Sequence, residues 1–424
     1  FFQVDTYRLN PHSKGDDDRH ADEIYTFRQK DYLEMFSKNE EAYYNKYQDS
    51  IVQQVNEMVE EILLEPETDL TDYYKPTALK LNLDWNTIEP IAKRQVELIN
   101  DFFRKEISAN DKLVFIGEDV LSPYGGAFKV ARDLSDIAPE RVFSTPISEA
   151  AIMGISNGLA LNGFKPFAEI MFGDFITLAF DQIVNHASKF HHMFNKQVNC
   201  PVVVRTPMGG RRGYGPTHSQ TLDKFLVGID NVKTIALNTF IDPTEIFKSI
   251  VQEEHPVILI ENKIDYGKKI LNHPAQNYKY QKNSDSYPVV RVSPTVSLPS
   301  LTIVAYGGMA DIINTFLINI FIETNLLVEL IIPTLISDLP IELISKSVEQ
   351  TGKLVVIEEG SAYAGIGSEL IAGLNELGVN FKGKRIAALP VPIPSAKSLE
   401  HAVLPGLERI IEEIKKTYGS SANN

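Results

Sequence analysis

KLVFIGED, residues 112–119, is a short apolar run ending on Gly-Glu-Asp, the pattern of a strand buried on both faces. Similar runs follow at KPFAEIM (165–171), PVVVRTP (201–207), TIALN (234–238) and PVILIEN (256–262), with helix-length segments between them. Strands that alternate with helices predict a parallel sheet covered on both faces, and ligands of such sheets bind beyond the carboxyl ends of the strands. The segments in that position are GEDVLSPYGGAFK, MFGDF, TPMGGRRGYGPTHSQ and ENKIDYG, rich in glycine, aromatic and ionisable residues. A helical pattern, AKRQVELINDFFRKEI, leads into the first strand.

Between the first two strands lies TPISEAAIMGISNG, residues 145–158. Ser148 is the expected N-cap of a helix with Glu149 in its first turn. Ala150, Gly154 and Gly158 recur every four residues, so one helix face carries almost no side chain and lets another backbone approach closely. On residues alone, Glu149 reads equally as a carboxylate at the positive end of a helix dipole.

The rest of the chain reads outward from this unit. Residues 267–300 are polar and carry Pro274, Pro288, Pro294 and Pro299, as an interdomain crossing does. A second α/β unit follows, with strands at TIVAYGG (302–308), LLVELII (326–332) and KLVVIEE (353–359), and helices expected at 309–323, 340–350 and 367–377. At the other end, residues 1–36 begin as a polar loop. His12, Ser13, Asp16, Asp17 and Arg19 crowd together there, and by composition this is a solvated turn. Residues 38–63 predict a long amphipathic helix, with Ile51, Val55, Met58 and Ile62 on one face. Pro66 and Pro76 mark a linker after it.

A formal net charge of -15 over 424 residues argues against nucleic acid or an anionic membrane as a partner, because phosphate binding needs clustered Lys and Arg. Cys200 is the only cysteine, which excludes an internal disulfide framework and fits a reducing, cytoplasmic compartment. The most apolar region, 312–332, is broken by Asn314, Asn319, Glu323, Asn325 and Glu329, so it is no membrane span. The chain opens at Phe1 rather than Met, which suggests a processed chain or a fragment. There is no Walker A sequence, no HExxH and no Gly-x-Ser-x-Gly elbow, and GGRRGYG at 209–215 lacks GxGxxG spacing.

IGEDV…YGGAFKV, RVFSTPISEAAIMG, AEIMFGDFITLAFDQIVN, RTPMGGRRGYGPTHSQ and SVEQTGKLVVIEEG, taken in order, resemble the beta subunit of thiamine diphosphate-dependent 2-oxo acid dehydrogenases. This is the decarboxylating first component of the pyruvate and branched-chain complexes. The resemblance covers about residues 91–415. TYRLNPHSKGDDDR and residues 20–63 are similar to the end of the alpha subunit of the same enzymes, which implies the tail of an alpha subunit fused to a whole beta subunit. The implied fold is α/β: a helical tail (1–65), a linker (66–90), a doubly wound pyrimidine-binding domain (91–266), a crossing (267–300) and a transketolase C-terminal-like domain (301–424).

The resemblance also implies roles. Glu149 matches the carboxylate on the aminopyrimidine ring of thiamine diphosphate, which favours the imino tautomer that activates the thiazolium carbon. Ile147 and Met171 match positions lining the pyrimidine pocket, and Phe175 matches the aromatic that stacks on the ring; core packing is the other reading of Phe175. His218 matches a histidine that assists acyl transfer to lipoamide. Glu118 and Asp181 match acids of a polar tunnel between two active sites; ordinary buried hydrogen-bonded carboxylates are the alternative. His12 matches a loop histidine that reaches the diphosphate, and Ser13 a phosphorylation site of some members, where a second common serine is Gly15 here. The Gly-Asp-Gly…Asn motif for magnesium is absent, so no metal is expected in this chain and its ligands are expected on an alpha segment, without which the chain should be inactive.

The implied partners are a 2-oxo acid, the lipoyl acyltransferase component, the alpha half, and a second beta unit through the face at 150–158, as a homodimer or heterotetramer-like assembly. Many relatives carry Asp-Leu-Arg after the strand matching LLVELII; here IIPTLISDLP has no arginine, which removes a local ion pair but not the fold. Branched-chain acids are slightly favoured over pyruvate from the TYRL…HSKGDD loop. Other thiamine enzymes, of acetoin dehydrogenase or transketolase type, and a non-catalytic subunit that organises a complex, are the alternatives.

Overall fold

The computed structural model describes residues 3–11, 18–67, 69 and 81–419. The chain divides into two compact units, residues 1–78 and 79–424. His12 and Ser13 lie outside the described residues.

The first unit is helical: α1 Ala21–Arg28, α2 Tyr32–Asn39 and α3 Glu41–Leu64. Asp31 caps α2 by accepting from the Leu33 N–H at 2.8 Å. The helix expected over 38–63 is therefore α3 alone, because Glu40 leaves helical geometry (φ -130°) and separates it from α2. The stripe Ile51, Val55, Met58 and Ile62 is exposed.

The second unit contains two large sheets and a two-stranded one. The first has β3 (Leu113–Gly117), β4 (Val142–Ser144), β5 (Lys165–Glu169), β6 (Val203–Met208), β7 (Lys233–Ala236) and β8 (Val257–Asn262), in the order β4-β3-β5-β6-β8-β7. All its pairings are parallel, and β3, β5, β6 and β8 are buried throughout, as the near-continuous apolar runs require. Two short strands, β2 (Ile91–Arg94) and β9 (Lys269–Ile270), pair separately. α4 (Gln95–Ala109) starts with a capping box in which Glu97 accepts from the Arg94 N–H at 2.8 Å. Its Phe103 packs edge-on against Phe115 and Phe167, fastening the helix to the sheet.

The second sheet mixes directions. β12 (Leu301–Ala305), β13 (Val328–Ile332), β14 (Lys353–Ser361) and β15 (Lys382–Ala388) are parallel. β1 (Trp85–Thr87), β10 (Tyr278–Asn283) and β11 (Val290–Pro294) add an antiparallel edge beside β13. Those three strands lie in stretches read from sequence as linker and crossing. In β1 and β10 polar residues lie along a half-exposed edge, so no apolar run announces them; β11 is largely buried but short and bounded by Pro288 and Pro294. Helices at Gly308–Thr324, Ile341–Thr351 and Ile366–Glu376 fall where their spacing predicts.

The loop IIPTLISDLP closes the edge of the first sheet. Ala236 N–H donates to the Thr334 carbonyl at 2.9 Å and Ile336 N–H to the Thr234 carbonyl at 2.9 Å. An open edge strand is thereby covered by the second domain without any arginine. No helix among the described residues is long and apolar enough to cross a membrane.

Candidate functional site

The carboxyl ends of β3, β5, β6 and β8 bring the expected residues to one side of the first sheet. Glu118 directly follows β3, and Glu149 opens the helix Glu149–Leu161. Ser148 stands at the N-cap position, but its side chain makes no capping bond, a departure from the expectation; its backbone N–H instead serves the Glu118 carboxylate. Burial, then the nearby charges of Glu149 and Asp119, push the Glu118 carboxyl above the usual carboxylate range. Glu118 Oε1 has no hydrogen-bond partner among the described residues. Glu149 is 5% exposed and lies close enough for its charge to act on Glu118. Two neighbouring buried acids without cationic partners are costly in a finished protein core, and such pairs mark sites.

A second cluster forms around His218. Its ring meets Phe172 at 4.9 Å and Phe175 at 5.1 Å between centroids, both edge-on. Its Nδ1 lies 3.0 Å from Thr217 Oγ1. Phe175 is half-buried on the 3-10 turn Gly173–Ala179, which packs beside the Glu149 helix. Met171 is half-buried just before it. Ile147 is 85% exposed, so among the described residues it lines no buried pocket. Asp181 is exposed as well, accepting from Asn185 Nδ2 at 2.8 Å and Gln182 Nε2 at 3.2 Å, with no hydrogen bond to Glu118 or Glu149. The structure thus joins Glu118 to Glu149, and Phe175 to His218, and sets Asp181 apart on the surface.

The His218 loop is held from below and from the second domain. Lys263 is 1% exposed, and its Nζ donates to the His218 carbonyl at 2.6 Å and sits 5.3 Å from the Phe172 ring centre. Burial pushes its ammonium down to about 8, against the attraction of Asp174 and Glu359. Asp174 Oδ1 accepts from Gln220 Nε2 at 2.8 Å, fixing the far end of the loop. Glu359 accepts from the Gly210 N–H at 3.1 Å, and Glu400 from the N–H groups of Arg211 at 2.7 Å and Gly213 at 3.0 Å. Gly209, at φ +93°, allows this: a Cβ there would lie 2.8 Å from Glu359 Oε2. The glycines of GGRRGYG therefore serve a carboxylate clamp rather than a phosphate cradle.

Beneath the site, Arg205 is buried between Glu169, at 2.6 Å, and Glu261, which takes two bonds at 3.1 and 2.6 Å. The Tyr266 hydroxyl donates to Glu261 as well. Sequence reasoning missed Lys263 and this triad. The signal was a charge inside each of the apolar runs KPFAEIM, PVVVRTP and PVILIEN. Among the described residues no group of three or more His, Cys, Asp or Glu could hold a metal ion.

Comparison with known proteins follows the same division. Residues 93–269 match the transketolase pyrimidine-binding domain, and residues 294–410 the transketolase C-terminal domain. The chain is 32% identical over 324 residues to a protein described as pyruvate dehydrogenase E1 component subunit beta from Rickettsia bellii, covering 76% of this chain and 97% of that one. It is 31% identical over 325 residues to the mitochondrial subunit beta-1 of the same component from Arabidopsis thaliana, covering 76% and 88%. A solved structure described as a split-gene transketolase, an inactive beta4 tetramer, superimposes with a TM-score of 0.56 at 18% identity, over 76% of this chain and 97% of that one, a likeness of fold alone. From the ordered carboxyl-end motifs, the two domain matches and these relatives, the chain belongs to the beta-subunit family of the 2-oxo acid dehydrogenase first component, built on the transketolase fold.

Proposed function

We propose that this chain supplies the pyrimidine half of a thiamine diphosphate site in a 2-oxo acid dehydrogenase, with acyl transfer to lipoamide on an acyltransferase component. The observation that carries this reading is Glu149: buried, at a helix start beyond the carboxyl end of the first sheet, and beside the buried Glu118. An aminopyrimidine ring nitrogen is a group such a carboxyl can hydrogen-bond, and Phe175 offers a face worth roughly 0.5–1.5 kcal/mol beyond burial. The cofactor, when bound, supplies the carbanion chemistry; Glu149 holds the proton at the ring nitrogen that sets the tautomer. Residues for the diphosphate and magnesium belong to an alpha segment, and the family resemblance assigns His12 to the diphosphate. The face at 150–158 points outward, where a Cβ on Gly158 would meet nothing within 4 Å, as close packing of a second beta unit requires. Ile147 would then gain its role from the neighbouring subunit, and Asp181 would join Glu118 only in the assembly.

Thiamine diphosphate binding on co-expression with an alpha half tests the reading directly; absence of binding by that assembly rejects it in favour of a non-catalytic organising role. Within the 2-oxo acids we retain a slight preference for branched-chain substrates, and turnover of a substrate panel decides it. His218→Ala is expected to slow lipoamide acylation at least ten-fold more than decarboxylation, within the range of about 10²–10⁴ for a lost proton donor. Equal losses in the two half-reactions would remove His218 from that role. The negative C-terminal domain suits a basic docking module on the acyltransferase, so the docking affinity should weaken as salt rises. A flat salt titration counts against that surface.

A further inference from the structure

We propose that the cleft between the antiparallel edge of the second sheet and the helix Ile341–Thr351 binds a small zwitterion, an α-amino acid with an aliphatic side chain. It shares no residue with the Glu149 and His218 site, and the proposal does not rest on the cofactor reading.

The register sets the charges. Arg291 on β11 faces Ile331 on β13, and Val292 faces Leu330, so Ser293 stands opposite Glu329. Alternation along the strands places Arg291, Ser293, Glu329 and Ile331 on one side of the sheet. Arg291 and Glu329 both line a cavity of about 170 Å³ there. They form no ion pair with each other. The Arg291 guanidinium lies 4.3 Å from the Trp85 ring centre, with one long hydrogen bond, 3.4 Å, to Gln281 Oε1. Its Nε is buried and has no partner among the described residues. Glu329 is 7% exposed, and its only hydrogen bond among the described residues is at Oε1, from the Ser293 hydroxyl at 2.6 Å.

A buried carboxylate and a half-buried guanidinium, its Nε unpartnered among the described residues, that wall one cavity without pairing leave opposite charges for a ligand to meet. A molecule carrying a carboxylate and an ammonium on one carbon meets both, the carboxylate toward Arg291 and the ammonium toward Glu329. Lys346 at the mouth adds a second cation for the carboxylate. The rest of the wall is apolar, from Leu83, Ile331 and Leu343, with Trp85 as a flat side. This mixture of an apolar lining and a few convergent charges is that of a small-molecule pocket. The size agrees: an apolar cavity of about 150 Å³ holds a benzene molecule. By contrast, the cavity between Tyr306 and Glu359 is about 20 Å³, room for one water.

Titration calorimetry on the unaltered 424-residue chain tests this with L-leucine, 4-methylpentanoate and 3-methylbutylamine. L-leucine should bind saturably. Each analogue lacks one charge and should bind about ten-fold or more weakly, as loss of a charge-assisted hydrogen bond predicts. Arg291→Met and Glu329→Gln should each weaken L-leucine to a similar degree while the unliganded melting temperature is retained. No saturable L-leucine binding, or equal binding of L-leucine and 4-methylpentanoate, overturns the proposal on the unaltered chain alone. Unchanged L-leucine affinity in both folded variants places any binding elsewhere and overturns it equally.

Discussion

Replacing Glu149 with Gln in the assembled enzyme should lower 2-oxo acid decarboxylation by about 10²–10⁴-fold while thiamine diphosphate still binds. The substitution keeps the volume of a side chain that is 5% exposed, so the helix Glu149–Leu161 and its packing should survive. It removes the acidic group that would share a proton with the aminopyrimidine. The loss should appear in kcat rather than in cofactor affinity, because the effect lies in tautomer population and not in burial. Two measurements separate the cases: the exchange rate of the thiazolium carbon proton on the bound cofactor, and cofactor binding by calorimetry. Full activity in Glu149→Gln, with the cofactor bound, would exclude the proposed role of this carboxyl. A helix-dipole role alone predicts a stability loss of only about 0.3–1 kcal/mol and no change in proton exchange.

Arg205→Met should destabilise the second unit by about 3–5 kcal/mol, the largest effect expected away from the site. Arg205 is 1% exposed, and its guanidinium is the only cation bonded to Glu169 and Glu261 among the described residues. Without it two carboxylates remain desolvated together in the middle of the sheet. Even with Arg205 present, burial holds Glu169 above the usual carboxylate range. Removing the cation raises the folded-state value further. A group whose folded value lies above its unfolded value favours the folded state when protonated, and that contribution is lost as pH rises through the folded value. The deficit of Arg205→Met should therefore be largest at neutral pH and shrink as pH falls toward about 4.3, the ordinary glutamate value. Thermal unfolding of the variant across that range measures it. Adding Glu169→Gln and Glu261→Gln should recover much of the loss. A deficit independent of pH would mean that Arg205 contributes packing over Phe103 and Phe115 rather than charge.

The two predictions differ in how much of their basis the sequence contains. That Glu149 opens a helix is legible because that signal is local, with small residues at helical spacing after it and an apolar strand on either side; the role proposed for it came from the family resemblance and not from these residues alone. His218 is legible as one histidine in a glycine-rich loop after an apolar run. Lys263 is equally visible as a letter, yet nothing nearby in sequence says that its ammonium turns to a carbonyl 45 positions earlier. The strands Trp85–Thr87, Tyr278–Asn283 and Val290–Pro294 carry no strong period, and they exist because Val328–Ile332 offers them an edge.

By itself, then, the sequence determined the central strands and the main helices of two α/β units, and which loops stand at those strands' ends; the short and edge strands it did not. Apolar periodicity is a local property of the chain, and it survives without knowledge of neighbours. Only the tertiary structure decided that Arg205 lies between Glu169 and Glu261, that Glu359 and Glu400 clamp the loop leading to His218, that Asp181 stays at the surface, and that Arg291 and Glu329 share a wall without touching. Each of these depends on sheet order and register, which place residues tens to hundreds of positions apart within a few ångströms. The cost of an unpaired buried charge is set by that arrangement rather than by the residue type alone.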